Sequence, residues 1–338
     1  METNGRELMI QEYLQRKIEE SYEVLKVASE MSKEYYEKPL IVTYSGGKDS
    51  DVLLQLALEC LSPDDFEVIN NHTTVDAPET VYYIRKTFKR LKELGIKATI
   101  QYPHYKDGKF KSMWTLIEDN LMPPTRLARY CCRELKETTM ANSFRATGVR
   151  EAESVSRKGR EIFTVRVVAK KDAQYFSLNH IKEVFEDDKA RRKEAGITNP
   201  NEEGVYDCVF ITKAKQKDDL MCSPIYKWTD REVWDFIHER KMDYNPLYDK
   251  GFWRVGCIGC PLAGNQVKVL NQYPKYKQNY INAFNRMIKR REETGKTDQC
   301  IKHNWKDGES VYRWWIEDKT IEGQMNIFDF IGKEEESK

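Results

Sequence analysis

Leu40-Ile41-Val42-Thr43-Tyr44-Ser45-Gly46-Gly47-Lys48-Asp49-Ser50-Asp51-Val52-Leu53-Leu54-Gln55-Leu56-Ala57-Leu58 is the stretch on which the fold turns. Its first five residues are an apolar β-type run and its last eight a helical one, with two glycines between them. A glycine pair lets the backbone approach a bulky anion, because no Cβ stands in the way. The helix that follows aims its free N–H groups and positive dipole end at the same point. Ser45 and Ser50 add hydroxyls and Lys48 a charge. A Walker P-loop is excluded, since that motif requires a glycine five positions before its Gly-Lys pair and residue 42 is valine.

Downstream, Phe66-Glu67-Val68-Ile69 reads as a second strand and Ala98–Tyr102 as a third. Between them Asp76-Ala77-Pro78-Glu79 marks a helix start, with Asp76 as cap, proline in the first turn and Gly95 at the end. Strand alternating with helix predicts an α/β fold, a doubly wound and mostly parallel sheet, with the glycine loop at the carboxyl ends of the strands where ligands lie. A further strand near Phe144–Val149 leads into Gly148-Val149-Arg150-Glu151-Ala152-Glu153-Ser154. Upstream, residues 6–36 read as one amphipathic helix with Leu14, Ile18, Tyr22, Leu25 and Ala28 near one face. That face packs on the first domain or on a second copy, so a homodimer is an expectation. Residues 158–220 are dense in both charges and weakly periodic, and are expected to be a solvated insertion acting as lid or partner surface. Thr229-Asp230-Arg231-Glu232 is a capping box opening another helix. The expected organisation is an N-terminal helix (1–37), a central domain (38–262), a basic helical C-terminal region (263–322) and a tail (323–338).

With 40% apolar and 33% charged residues and no long apolar run, the 338-residue chain is expected to be cytoplasmic with no membrane partner. Eight cysteines in that compartment point to metal or redox chemistry rather than a disulfide framework. Four of them form close pairs, Cys131-Cys132 and Cys257-Ile258-Gly259-Cys260, with Gly256 and Gly259 permitting the second turn. Together they make a tetrathiolate set, suited to a [4Fe–4S] cluster or a structural zinc. Arg126, Arg129, Arg133 and Lys136 flank the first pair, and Arg150 and Arg157 flank Glu153-Ser154. Phosphoryl transfer needs such cationic clamps.

The Ser45–Ser50 loop resembles the SGGxDS loop of the PP-loop ATP pyrophosphatases. Pro78-Glu79-Thr80, the Arg150-x-x-Glu153-Ser154-x-x-Arg157 run, Trp228-Thr229-Asp230, Tyr244–Asp249 and Gly256–Cys260 extend the resemblance to the phosphoadenosine phosphosulfate (PAPS) reductase family, over about residues 38 to 262. The resemblance implies an adenine nucleotide alpha-hydrolase-like fold that binds ATP and Mg2+. It implies nucleotide contacts from Tyr44 to Ser50, with Asp76, Gly148, Arg150, Glu153 and Ser154. Lys48, Asp49, Ser50, Arg150 and Arg157 are the catalytic candidates. Arg126, Arg129, Lys136 and Arg157 are candidates for holding the acceptor. Adenylylsulfate reductases of the family hold a [4Fe–4S] cluster in a similar Cys-Cys plus C-x-x-C set, so iron–sulfur is preferred to zinc at Cys131, Cys132, Cys257 and Cys260.

Pro123-Pro124-Thr125-Arg126-Leu127-Ala128-Arg129-Tyr130-Cys131 is similar to a stretch of the DndC/SspD-type proteins of DNA phosphorothioation. The reductases carry a C-terminal Glu-Cys-Gly-Leu-His with the attacking cysteine; here Gln299-Cys300-Ile301-Lys302-His303 keeps only Cys and His. Cys300, next to Lys302 and His303, is a candidate redox thiol. The expectation is therefore ATP-dependent sulfur transfer onto a DNA backbone phosphate, with a cysteine desulfurase as sulfur donor. The alternatives are a thioredoxin-dependent sulfonucleotide reductase and a non-catalytic nucleotide-sensing module. Lysines and arginines interleaved with Tyr273, Tyr276, Tyr280 and Phe284 over residues 268–306 read equally as a nucleic-acid surface or as a basic helix with an aromatic core face. Gln324-Met325-Asn326-Ile327-Phe328 resembles a peptide that docks on the DNA sliding clamp.

Overall fold

The structure is a computed structural model that describes residues 2–137, 140, 142–167, 172–200 and 219–317. These divide into two units: residues 1–72, 76–103 and 136–256 in the first, and residues 73–75, 104–135 and 257–338 in the second. No described helix is long and apolar enough to cross a membrane.

In the first unit the described strands form one seven-stranded sheet. They are β1 (Leu40–Thr43), β2 (Phe66–Asn71), β3 (Ala98–Gln101), β4 (Arg145–Ala146), β5 (Phe163–Val167), β6 (Asp172–Phe176) and β7 (Asp219–Cys222), in the order β3-β2-β1-β4-β7-β5-β6. The five strands from β3 to β7 pair in parallel, with Val42 opposite Val68 and Ala146, while β5 runs antiparallel to β7 and β6. Apolar residues fill both faces of β1, as a parallel strand covered on each side requires: Leu40, Ile41 and Val42 are all buried. Helices α1 (Glu2–Tyr36), α2 (Lys48–Cys60) and α3 (Pro78–Glu93) belong to this unit. Leu14, Ile18, Leu25 and Ala28 of α1 are buried, and that helix packs on α2, β1 and β7 of its own unit. Ala77, not Asp76, occupies the α3 cap, without a side-chain bond, and Pro78 is the first helical residue.

The second unit begins with α4 (Met113–Asn120) and the single turn α5 (Tyr130–Cys132). Back in the first unit, α6 (Leu178–Glu194) follows β6, and α7 (Asp230–Glu239) follows β7. The capping box of α7 is formed: Thr229 Oγ1 accepts from Glu232 N at 3.2 Å and Glu232 Oε2 from Thr229 N at 2.6 Å. The segment expected to be a solvated insertion thus contributes β5, β6 and α6. Helix α6 docks through Ile181 and Phe185, and its buried Asp188 accepts from Tyr35 of α1 at 2.8 Å and from Arg192 at 3.0 Å.

The second unit closes with α8 (Gln266–Gln272), α9 (Pro274–Glu293), α10 (Asp298–Lys302) and α11 (Gly308–Ile316). Its core is aromatic: Tyr280 lies 5.0 Å from Trp114 and 4.6 Å from Trp315, ring centre to ring centre, with Phe284 alongside. Tyr280 and Phe284 are therefore the buried face of α9 and offer no surface for stacking a base. Arg290 on the other face pairs with Asp119 at 2.7 Å, and Arg286 with Glu118. The clamp-like peptide at 324–328 lies outside the described residues.

Candidate functional site

In the first unit, β1 is where the strand order reverses, with β2 on one side and β4 on the other. Ligands of open α/β sheets gather beyond the strand ends at such a point. The Ser45–Ser50 loop leaves β1 there, and Gly148 follows β4. A Cβ on Gly148 would lie 2.9 Å from the Asp49 carbonyl oxygen and 3.2 Å from the Ser50 nitrogen, so only glycine allows this approach of two backbones. Gly46 has φ +72°, and its own Cβ would meet Ile84 at 2.9 Å.

Ser50 holds the loop in shape. Its hydroxyl donates to the Gly47 carbonyl at 2.7 Å and accepts from the Ser45 and Gly47 amides, each at 3.2 Å. The Lys48 amide, at the α2 N-terminus, donates to the Tyr248 phenol at 2.9 Å. Asn245, fully buried, donates to the Gly46 carbonyl at 2.9 Å and to Thr80 at 3.1 Å. Tyr44 is also buried, its phenol donating to Asp51 at 2.6 Å.

Two cations and two carboxylates interlock behind the loop. Lys48 Nζ is 2.9 Å from Asp230 and 3.3 Å from Asp49. Arg150, 3% exposed, donates to Asp49 at 2.6 Å, to Asp230 at 2.9 Å and to the Trp228 carbonyl at 3.3 Å. Burial alone would push the Asp230 carboxyl up, yet Lys48 and Arg150 hold it below the usual carboxylate range. Arg150, expected as a clamp on phosphoryl oxygens, is thus fully engaged as an internal brace that fixes Asp49. Arg157 pairs with Glu153 and donates to the Arg150 carbonyl at 3.4 Å, so Glu153 is also committed within the protein. Asp76 lies 3.9 Å from His72.

In the second unit the two expected cysteine pairs lie near enough for the charges of Cys132, Cys257 and Cys260 to act on Cys131. Cys131 and Cys132 share α5, and Cys257 and Cys260 share a turn in which Gly259 has φ +73°. A hydrogen bond with Cys132 and burial push the Cys131 thiol up, and the charges of Cys132, Cys257 and Cys260 add to this. The Cys257 amide flank is pinned by Ile258, which donates to the Val75 carbonyl at 2.7 Å. A Cβ on Gly259 would lie 2.8 Å from Tyr280 and 3.0 Å from Trp315, whereas Gly256 borders open space and is not needed for the turn. Among the described residues no three His, Cys, Asp or Glu side chains stand close enough to hold one metal ion. Four thiols are the donor set of either a structural zinc or a [4Fe–4S] cluster.

Arg129 donates to Cys132 Sγ at 3.6 Å and Arg126 to the Pro261 carbonyl at 3.1 Å, both within the second unit. Lys136 belongs to the first unit, where its carbonyl accepts from Asn71 at 2.8 Å, so the proposed acceptor residues fall in two units. Cys300 is half-buried on α10, and burial pushes its thiol up despite the nearby Arg291, which is the opposite of activation. Asn245, Tyr248 and Asp230 had no site role in the sequence reading. The only signal for them was their place in the Trp228–Asp230 and Tyr244–Asp249 runs.

The model of the phosphoadenosine phosphosulfate reductase domain matches residues 39–263. An uncharacterized protein of Methanocaldococcus jannaschii is 25% identical over 285 residues, 82% of this chain and 56% of that protein. The chain spans about half the length of the curated relatives it matches over most of its length. An adenosine 5'-phosphosulfate reductase of Anoxybacillus flavithermus is 35% identical over 51 residues, 15% of this chain and 22% of that protein. Among solved structures, a U34-tRNA thiolase of Methanococcus maripaludis with its [4Fe–4S] cluster aligns with TM-score 0.37 and 15% identity, covering 82% of this chain and 78% of that one.

Proposed function

The chain belongs to the phosphoadenosine phosphosulfate reductase domain family, and from that premise we propose that it is an ATP pyrophosphatase that activates an acceptor for sulfur transfer, the acceptor being a DNA backbone phosphate. The observation that carries this reading is the close approach of Gly148 to the Asp49–Ser50 backbone, which sets a bare glycine loop and a helix N-terminus at the sheet's switch point. Nucleotide phosphates lie along Tyr44–Ser50, and Mg2+ enters with them as part of the substrate. Lys48, 5% exposed, meets the charge that develops on the departing pyrophosphate. Ser50 keeps the loop amides in place, and Arg150 keeps Asp49 and Asp230 from drifting into the phosphate path.

An acceptor oxygen attacks the α-phosphorus, and the bond to the β-phosphate oxygen breaks to release pyrophosphate. The outer sulfur of a cysteine desulfurase's persulfide, released as sulfide by a dithiol reductant that is oxidised to its disulfide, then attacks the acceptor's phosphorus; the P–S bond forms as the P–O bond to AMP breaks and AMP leaves. Cys131, Cys132, Cys257 and Cys260 would hold a [4Fe–4S] cluster, which when bound supplies an iron–sulfide centre able to carry sulfur or electrons. Cys300 is the thiol a sulfonucleotide reductase would need, and burial raises it rather than activating it.

Pyrophosphate release from ATP, measured with and without DNA and desulfurase, tests the reading. DNA-stimulated release that disappears in a Ser45→Ala, Asp49→Ala variant is expected. Sulfite from adenylylsulfate without ATP consumption would make the protein a reductase, and nucleotide binding without turnover would make it a sensing module. Anaerobic purification should yield iron and acid-labile sulfide in equal amounts, with zinc absent.

A further inference from the structure

Behind the glycine loop, on the side of α2 that faces α3, lies a cavity of about 80 Å³ in the first unit. That is room for a molecule of a few heavy atoms rather than a single water. Asp51 stands in its wall, 4% exposed. One carboxylate oxygen accepts from Tyr44 at 2.6 Å, and the other is buried and makes no hydrogen bond of good geometry among the described residues, although the Tyr83 phenol also stands near the carboxyl and favours its ionised form. Buried carboxylate oxygens are rarely left so, because the lost hydration is costly.

The rest of the lining narrows the ligand. Tyr83 and Thr87 add hydroxyls, and Leu54, Leu91 and Met242 an apolar wall. Arg90 and Lys86, one turn apart on α3, line the same cavity, and Lys86 pairs at 2.9 Å with Asp243, also in the lining. A divalent metal would find two carboxylates, Asp51 and Asp243, of which Asp243 is already paired with Lys86, and Arg90 in the same lining. A simple anion would meet the buried carboxylate. A simple cation would meet Arg90 and Lys86. A ligand bearing both charges on a small apolar frame satisfies every wall.

We propose that this cavity binds a small α-amino acid, its ammonium group at Asp51 and its carboxylate at Arg90. The site shares the Tyr44 side chain with the start of the phosphate loop but lies behind it, and its binding does not depend on the activity proposed above. Burial pushes the Asp51 carboxyl up to about 7, so binding strengthens as the pH passes that point and the carboxylate ionises to meet the ammonium. Tyr44, Tyr83, Asp49, Asp243, Lys86 and Arg90 are the other ionisable groups facing or influencing it.

The test is titration calorimetry on the full chain at pH 8 with glycine, L-alanine and L-cysteine. Ethylamine and propionate serve as half-ligands at matched ionic strength. At least one amino acid should bind about tenfold or more tightly than either half-ligand. Asp51→Asn and Arg90→Gln should each weaken it by roughly tenfold or more. Should Asp51→Asn fail to fold, the exposed Arg90→Gln decides alone. Absence of binding by all three amino acids, ethylamine binding as well as alanine, or unchanged affinity in the variants would overturn the proposal.

Discussion

Each unit is built around a turn that tolerates only glycine, and the two turns are lined by opposite materials. Gly46 and Gly259 have nearly the same φ, +72° and +73°. Gly46 itself packs on Ile84 and Thr80, while the rest of its loop is lined by amides, hydroxyls and the Lys48–Asp49–Arg150–Asp230 charge network. Around Gly259 stand Tyr280 and Trp315. A polar, pre-ordered shell suits a polyanion that must be held and released, because its dipoles need no rearrangement when charge moves. An aromatic shell lowers the local dielectric around thiols and suits a group that is held permanently. Under the proposed function the same backbone device would serve a transient nucleotide in one unit and a resident cluster in the other.

The contrast can be broken most forcefully at Gly148. Because the atoms it would meet are backbone, Gly148→Ala must shift the first turn of α2, and nucleotide turnover should fall on the order of 100-fold with the fold retained. Steady-state kinetics beside circular dichroism checks this. Next comes the comparison of the two turns themselves. Gly259→Ala drives a Cβ into rings packed on all sides and should destabilise by about 2–3 kcal/mol. Gly46→Ala meets the movable tip of Ile84 and should destabilise by about 1 kcal/mol, read by denaturant unfolding.

A smaller effect concerns Asp51, whose folded-state carboxyl titrates near 7, above the unfolded value of about 3.9. The folded protein then binds the extra proton, so its contribution is fully present below about pH 4 and is lost as pH rises through 7. Unfolding of wild type between pH 5 and 8 should show the decline, and Asp51→Asn should lessen it by roughly 1–2 kcal/mol. Smallest of all, Cys300→Ser should change stability and turnover within about 0.5 kcal/mol, and a large loss of activity would restore a redox role for that thiol.

The half of the sheet from β3 to β1 was legible because β1 is an apolar run, β2 and β3 are short β-branched or aromatic-rich runs, and the helices between them carry Pro or Gly at their ends. The β5–β6 pair and α6 were not. Phe163 and Val165 do alternate with Thr164 and Arg166, but the run is short. In α6 the inward stripe after Phe185 continues as Asp188 and Arg192, which pair with each other and with Tyr35 and Glu34 of α1. A buried ion pair reads in sequence as one more solvated charge. The glycine loop and both cysteine pairs were legible because their chemistry is written in adjacent letters. Asn245, Tyr248 and Asp230 reach the loop from some two hundred residues away, and only the fold shows that their hydrogen bonds end on Gly46 and Lys48. The same holds for Arg150, whose charge was visible but whose commitment to Asp49 and Asp230 was not.

Phosphorus NMR of the products formed from ATP by the full chain, supplied with DNA and a sulfide source, bears most directly on the glycine loop's role. AMP with pyrophosphate in equal amounts is the outcome the account predicts. ADP with inorganic phosphate, or ATP left intact, would contradict it.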